Sequence, residues 1–165
     1  MGDFYTEQLV KKQTGMREIM LRAAMIAVGI LGAALAVAIG FPFGMLLFIV
    51  AAVLVFLMYR KVNVEYEYLF VNGELDIDMI FNRARRKRVF SMQLNELQVL
   101  APVGSIELKH YQKAKVTDYS SGRKDAKTYG MVILERGVHQ MIIFEPKESI
   151  VEGFWMLAPR KVVRN

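Results

Sequence analysis

The sequence predicts a membrane α-helical hairpin joined to an α+β, mainly β, cytoplasmic domain. Three observations predict it: a charge-free run of 37 residues from Ala23 to Tyr59, its interruption at Gly40-Phe41-Pro42, and period-two alternation of apolar and polar residues beyond Arg60. The β part is expected as a bent sheet or partly open barrel of about seven antiparallel strands, closed by a C-terminal helix.

Residues 1–15 mix charge with a few apolar side chains. They are expected as an amphipathic helix at the interface or as a frayed tail, with Phe4, Leu9 and Val10 as the apolar contacts. Thr14 is a candidate N-cap for the first membrane helix. Residues 16–60 form the hairpin. Ala23 to Gly40 and Phe43 to Tyr59 are 18 and 17 residues, roughly 27 and 26 Å of helix against a hydrocarbon core of about 30 Å. The first helix is expected to begin near Met16, leaving Arg22 to snorkel. Pro42 disfavours helix at Phe41 and marks the tip. Lys11, Lys12, Arg17 and Arg22 precede the spans, Arg60 and Lys61 come after them, and the tip is uncharged. The positive-inside rule then places the chain in the cytoplasmic (inner or plasma) membrane with both termini in the cytoplasm.

Two simpler readings of the apolar run fail. A cleaved signal peptide has a shorter apolar region and no interspersed Asp3, Glu7 and Glu18. A soluble core hairpin would need more cover than residues 62–165 supply. Small residues crowd the first helix, and Gly29, Gly32 and Ala33 are the candidate close-packing positions. They serve packing against the second helix or, alternatively, homo-oligomerisation.

Residues 62–165 form the cytoplasmic domain. In Val62–Phe70 the apolar Val62, Val64, Tyr66, Tyr68 and Phe70 alternate with Asn63, Glu65 and Glu67. Asn72-Gly73 predicts a type I′ turn into Leu75–Met79, which alternates again. Further strands are expected at 88–92, 97–100 and 114–119. A second hairpin joins 128–135 to 138–145 through Arg136-Gly137. A helix is expected from Pro146, burying Ile150, Val151, Phe154, Trp155 and Ala158, and ending at Pro159.

Certain stretches carry a family resemblance: Glu65-Tyr-Glu-Tyr-Leu-Phe, Val89-Phe-Ser-Met, Ala101-Pro102, Phe144-Glu-Pro and Ala158-Pro159. With the order of elements over 62–165, they make the chain resemble bacterial membrane proteins with two transmembrane helices and a pleckstrin-homology-like (PH-like) cytoplasmic domain. The resemblance implies the fold. Lipid binding, peptide binding and scaffolding all occur on that fold, so it implies no single activity.

The chief constellation is Arg83-Ala-Arg85-Arg86-Lys87-Arg88, five cations in six residues, read as a loop between two strands. Facing a bilayer, each cation near an anionic surface contributes about 1 kcal/mol. In lipid-binding PH-like domains the basic residues usually sit on the first hairpin, whose tip here is Val71-Asn-Gly-Glu. The competing reading is a solvated basic loop or an edge-strand face. The net charge of +6 divides as +1 before the spans and +5 from Arg60 onward. Beside a membrane that points to anionic lipid before nucleic acid, for which no recognition motif is present.

Catalytic and metal signals are poor. Cysteine is absent, and His110 and His139 lack metal-ligand spacing. Asp76 and Asp78 are explained by alternation as solvent-facing positions. Ser120-Ser-Gly-Arg-Lys-Asp125 matches no phosphate loop or nucleophile elbow and reads as a mobile loop. No catalytic residue, metal or cofactor is implied. The expected function is a non-enzymatic binding or scaffold module that engages membrane lipids, a protein partner or a second copy of itself. A membrane-bound enzyme with an unrecognised site, or a tethered nucleic-acid-binding domain, is the alternative.

Overall fold

The computed structural model describes residues 4–13, 15–59 and 64–164. Thr14, Arg60, Lys61, Val62 and Asn63, on which parts of the sequence reading fall, lie outside the described residues. The chain divides into two compact units: Met1–Gln13 with Glu65–Ile80 and Arg86–Asn165, and Thr14–Val64 with Phe81–Arg85.

The second unit holds two helices, α1 (Met16–Ile39) and α2 (Phe43–Tyr59), turned at Gly40, whose φ of +79° suits glycine. Their mutual approach depends on missing side chains. A Cβ at Gly32 would collide with Ala51, and one at Gly44 with the backbone of Ala36. Ala33 is half-buried, whereas nothing lies within 4 Å of a Cβ built at Gly29. Ile19–Ile39 is long and apolar enough to cross a membrane; the apolar stretch of α2, Phe43–Leu57, is shorter. Ile26, Ile30, Val37, Leu46 and Phe56 are all exposed.

The first unit is built from eight strands and two helices. One sheet has the order β1-β2-β3-β4: β1 (Tyr5–Lys11), β2 (Val64–Val71), β3 (Glu74–Phe81) and β4 (Arg85–Gln93). The other has the order β5-β7-β8-β6: β5 (Leu97–Pro102), β6 (Lys115–Asp118), β7 (Tyr129–Glu135) and β8 (Val138–Phe144). A short helix, α3 (Ile106–Lys109), comes after β5, and α4 (Glu148–Leu157) after β8. The two expected hairpin turns form as read: Asn72 and Gly73, and Arg136 and Gly137, all have positive φ.

Several expectations are corrected. Residues 5–11 form neither a helix nor a frayed tail but an antiparallel strand, Tyr5 opposite Val71 and Lys11 opposite Glu65. Its inward positions are Thr6, Gln8 and Val10, so no apolar alternation advertises it, and Leu9 is exposed. Among the described residues the strand count is therefore eight in two sheets, not about seven in one, and β6 runs parallel to β8. The terminal helix starts at Glu148 rather than Pro146.

Tyr66, Tyr68 and Phe70 of β2, Leu75 and Ile77 of β3, Met131 and Ile133 of β7, and Ile150, Val151 and Phe154 of α4 are buried together with Phe144 of β8. Edge-on rings stitch the layers, Tyr68 to Phe144 at 5.6 Å, while Phe70 tilts against Phe154 at 4.5 Å. Val132, which alternates with Met131 and Ile133, joins Ala101 and Leu108 in a second, smaller cluster. Trp155 is not core: it is 39% exposed and lies under the Arg164 guanidinium at 4.4 Å. The buried face of α4 uses Gly153 instead, against the rings of Phe4 and Phe70.

Candidate functional site: a charged ladder and a basic strand

Arg83 lies in a turn, while Arg85–Arg88 open an edge strand, the alternative that the sequence offered to a loop. Phe81 to Ala84 closes a turn with the Ala84 amide donating to the Phe81 carbonyl at 3.0 Å. Asn82 and Arg83 both adopt positive φ, 48° and 55°, a region that Asn tolerates and a long side chain seldom enters. β4 then begins at Arg85.

Strand spacing splits the cluster in two. Arg86 and Arg88 stand two apart and reach the same set of carboxylates. Arg86 is paired with Glu67 of β2, and its Nε is 3.7 Å from Asp78 Oδ2. Arg88 Nη2 is 2.8 Å from Asp76 Oδ2, and its Nε is 3.6 Å from Asp78 Oδ1. The arginines are more than half exposed while the acids beneath them are largely buried, so the guanidinium groups roof a carboxylate floor. Arg85 and Lys87 are exposed, and no ion pair among the described residues uses them.

Asp76 and Asp78 do oppose the apolar positions Leu75 and Ile77, but they are not the solvent-facing residues expected: Asp76 is buried and Asp78 half-buried. The sequence does carry a signal for this ladder. Glu65/Glu67, Asp76/Asp78 and Arg86/Arg88 each repeat a charge at strand spacing, on three consecutive strands.

The ladder extends to β1. Tyr5 Oη donates to Glu7 Oε2 at 2.8 Å. That bond holds the Glu7 carboxyl below its ordinary value and raises the Tyr5 phenol. Burial pushes Glu67 upward, and its hydrogen bond with Glu7 adds to the rise.

The other residues singled out in the sequence lie away from the ladder. The Ser120–Asp125 segment is tied rather than loose: Arg123 Nη2 donates to Glu145 Oε1 at 2.9 Å, the Ser121 carbonyl accepts from the Gln13 amide at 2.7 Å, and Ser120 and Ser121 are buried. His139 is exposed, with its ring 5.2 Å from Tyr111. A cleft of about 470 Å³ lies beside the β2–β3 turn, lined by Val71, Asn72, Gly73, Glu74, Gln93, Leu94 and Asn95. It holds one ionisable side chain, Glu74, and so offers no acid–base pair.

A pair of four-stranded sheets closed by a C-terminal helix defines a PH-like domain. A family model described as a bacterial PH-like domain (DUF6106) matches residues 2–164, and the chain belongs to that family. No curated protein and no solved structure matches.

Proposed function

We propose that this chain is a membrane-anchored, non-enzymatic binding module whose PH-like domain works at the cytoplasmic face. It engages anionic lipid there, or a protein partner. The observation that carries the reading is topological. The two helices are inserted between β1 and β2, which are directly paired strands, with Lys11 opposite Glu65. Both tethers therefore leave one end of the sheet, each through four residues, 12–15 and 60–63. Such a link reaches at most about 18 Å.

The chain returns to that end once more, at the turn between β3 and β4, because successive hairpins reverse direction. Lys11, Arg85 and Lys87 lie toward that end by strand order alone. The exposed apolar side chains of α1 and α2 support burial in lipid, since no soluble surface favours so many. Arg86 and Arg88 are already neutralised by carboxylates, so the lipid contact is assigned to Arg85 and Lys87, which enter no ion pair among the described residues.

The test is co-sedimentation of the domain with its helices replaced by a short Gly/Ser turn between Lys11 and Val64, first shown to be folded by circular dichroism. Vesicles of neutral lipid and of mixed neutral and anionic lipid are compared at low and physiological salt. Binding is expected to need anionic lipid. It should fall on the order of thirtyfold in Arg85→Ser/Lys87→Ser, two cations at about 1 kcal/mol each. A folded domain that ignores anionic vesicles at both salts removes the lipid part of the reading and leaves the protein partner.

A further inference from the structure

The charged ladder holds more acceptors than its cations can serve. Glu7 on β1, Glu67 on β2 and Asp76 and Asp78 on β3 are four carboxylates, and two guanidinium groups, Arg86 and Arg88, pair with three of them. Glu67 is 4% and Asp76 8% exposed, so solvent does little to stabilise either charge. The Oδ1 atoms of Asp76 and Asp78 are buried and accept no hydrogen bond among the described residues. Glu67, buried among these acids, is the member that burial pushes toward the protonated form.

The strand register says where that proton goes. Leu9 is opposite Glu67 and Glu7 is opposite Leu69, so Glu7 and Glu67 are diagonal neighbours on one face of the sheet. Two carboxyl groups hydrogen-bond to each other only when one of them is protonated.

We infer that one proton shared by Glu7 and Glu67 latches β1 onto β2, and that the latch slackens as the pH rises. β1 is the strand that runs into α1, so the latch governs one of the two attachments of the helices to the domain. The shifts divide the work: burial favours the protonated Glu67, and the Tyr5 hydroxyl favours the ionised Glu7. Glu67, raised, stabilises the docked strand below its unfolded value, and that contribution is lost as pH climbs through its folded value. Glu7, lowered, contributes above its unfolded value and is lost as pH falls through its folded one. The single-proton state is therefore favoured between the two folded values and fails first on the alkaline side of Glu67.

Charged and titratable groups surround the pair from all four strands of the sheet. Tyr5 and Lys11 come from β1, Glu65 from β2, Asp76 and Asp78 from β3, and Arg86 and Arg88 from β4. Lys147 also approaches, donating from Nζ to the Glu7 carbonyl at 2.7 Å. Arg86 opposes proton uptake by stabilising the Glu67 anion. Loss of the proton should thus loosen β1 rather than unfold the domain.

The test is amide hydrogen exchange of the full chain in neutral-lipid nanodiscs from about pH 5 to about pH 9, corrected for intrinsic exchange. Protection of Tyr5–Lys11 is expected to fall with pH, by at most about tenfold per pH unit for one proton, while β7 stays level. In Glu67→Gln the amide is a permanent donor to Glu7, and the β1 protection should become flat with pH. Glu7→Gln should flatten it as well, and it carries the test if Glu67→Gln does not fold. Flat β1 protection in the unmodified chain, an unchanged slope in the variants, or an equal slope in β7 would each overturn the latch.

Discussion

Tyr68 shows how a single side chain can hold two segments at once. Its ring is fully buried, and its hydroxyl donates to the Tyr119 carbonyl at 2.7 Å while accepting from the Glu145 amide at 3.3 Å. Burial drives its phenol well above the usual tyrosine range, so it stays neutral at any working pH. Tyr68→Phe keeps the packing but orphans a part-buried carbonyl and a part-buried amide. The expected loss is about 1–3 kcal/mol, read from the urea midpoint of the domain. Gly153 gives a prediction whose sign runs against propensity. Gly→Ala inside a helix ordinarily stabilises by about 0.5–1 kcal/mol. Here the new Cβ would stand 2.6 Å from the rings of Phe4 and Phe70. Gly153→Ala should therefore destabilise, and hydrogen exchange should show β1 affected before β7.

At the scale of elements, β1 is the decisive strand and the one the sequence concealed. Its inward side chains bond rather than bury. Gln8 Nε2 donates to the Glu145 carbonyl at 2.8 Å, Gln8 Oε1 accepts from the Lys147 amide at 2.6 Å, and Thr6 meets Ser149 at 3.4 Å. A strand anchored through amides and hydroxyls leaves no period-two hydrophobic trace, whereas β2, β3 and β8 bury apolar alternation and are legible at once. The same reason explains the ladder. Alternation tells that Asp76 and Asp78 oppose the core, but pairing across strands decides that arginines cover them. A chain of residues 62–165 alone thus lacks one strand and exposes the edge of β2, the strand that carries Tyr66, Tyr68 and Phe70. It is expected to aggregate on expression, whereas residues 4–11 joined by a short turn to 64–164 should give a soluble, cooperatively unfolding domain. Equal solubility of the two would refute the structural role given to β1.

For the whole molecule, the question is which side of a bilayer each part occupies. The chain has no cysteine, so a single introduced thiol reports its own location. Phe41, 85% exposed at the turn between α1 and α2, and Val138, 60% exposed beside the β7–β8 turn, are suitable positions. If both helices cross, the basic flanks keep β1 and β2 on the cytoplasmic side and carry Phe41 to the far side. A membrane-impermeant maleimide added to intact bacterial cells should then label Phe41→Cys and spare Val138→Cys until lysis. The opposite pattern would reverse the orientation. Protection of both in intact cells, with Phe41→Cys labelled only after lysis, would mean that neither helix crosses, the shorter of them being α2. Its 17 residues make it the weaker span, about 26 Å of helix against about 30 Å of hydrocarbon. Local thinning of the bilayer or interfacial anchoring at its ends can absorb a mismatch of that size at a fraction of a kcal/mol per Å. The link between β1 and α1 is as short as that between α2 and β2. If both helices cross, the pairing of those two strands requires their sheet-side ends to share one face of the bilayer, with Phe41 at the other.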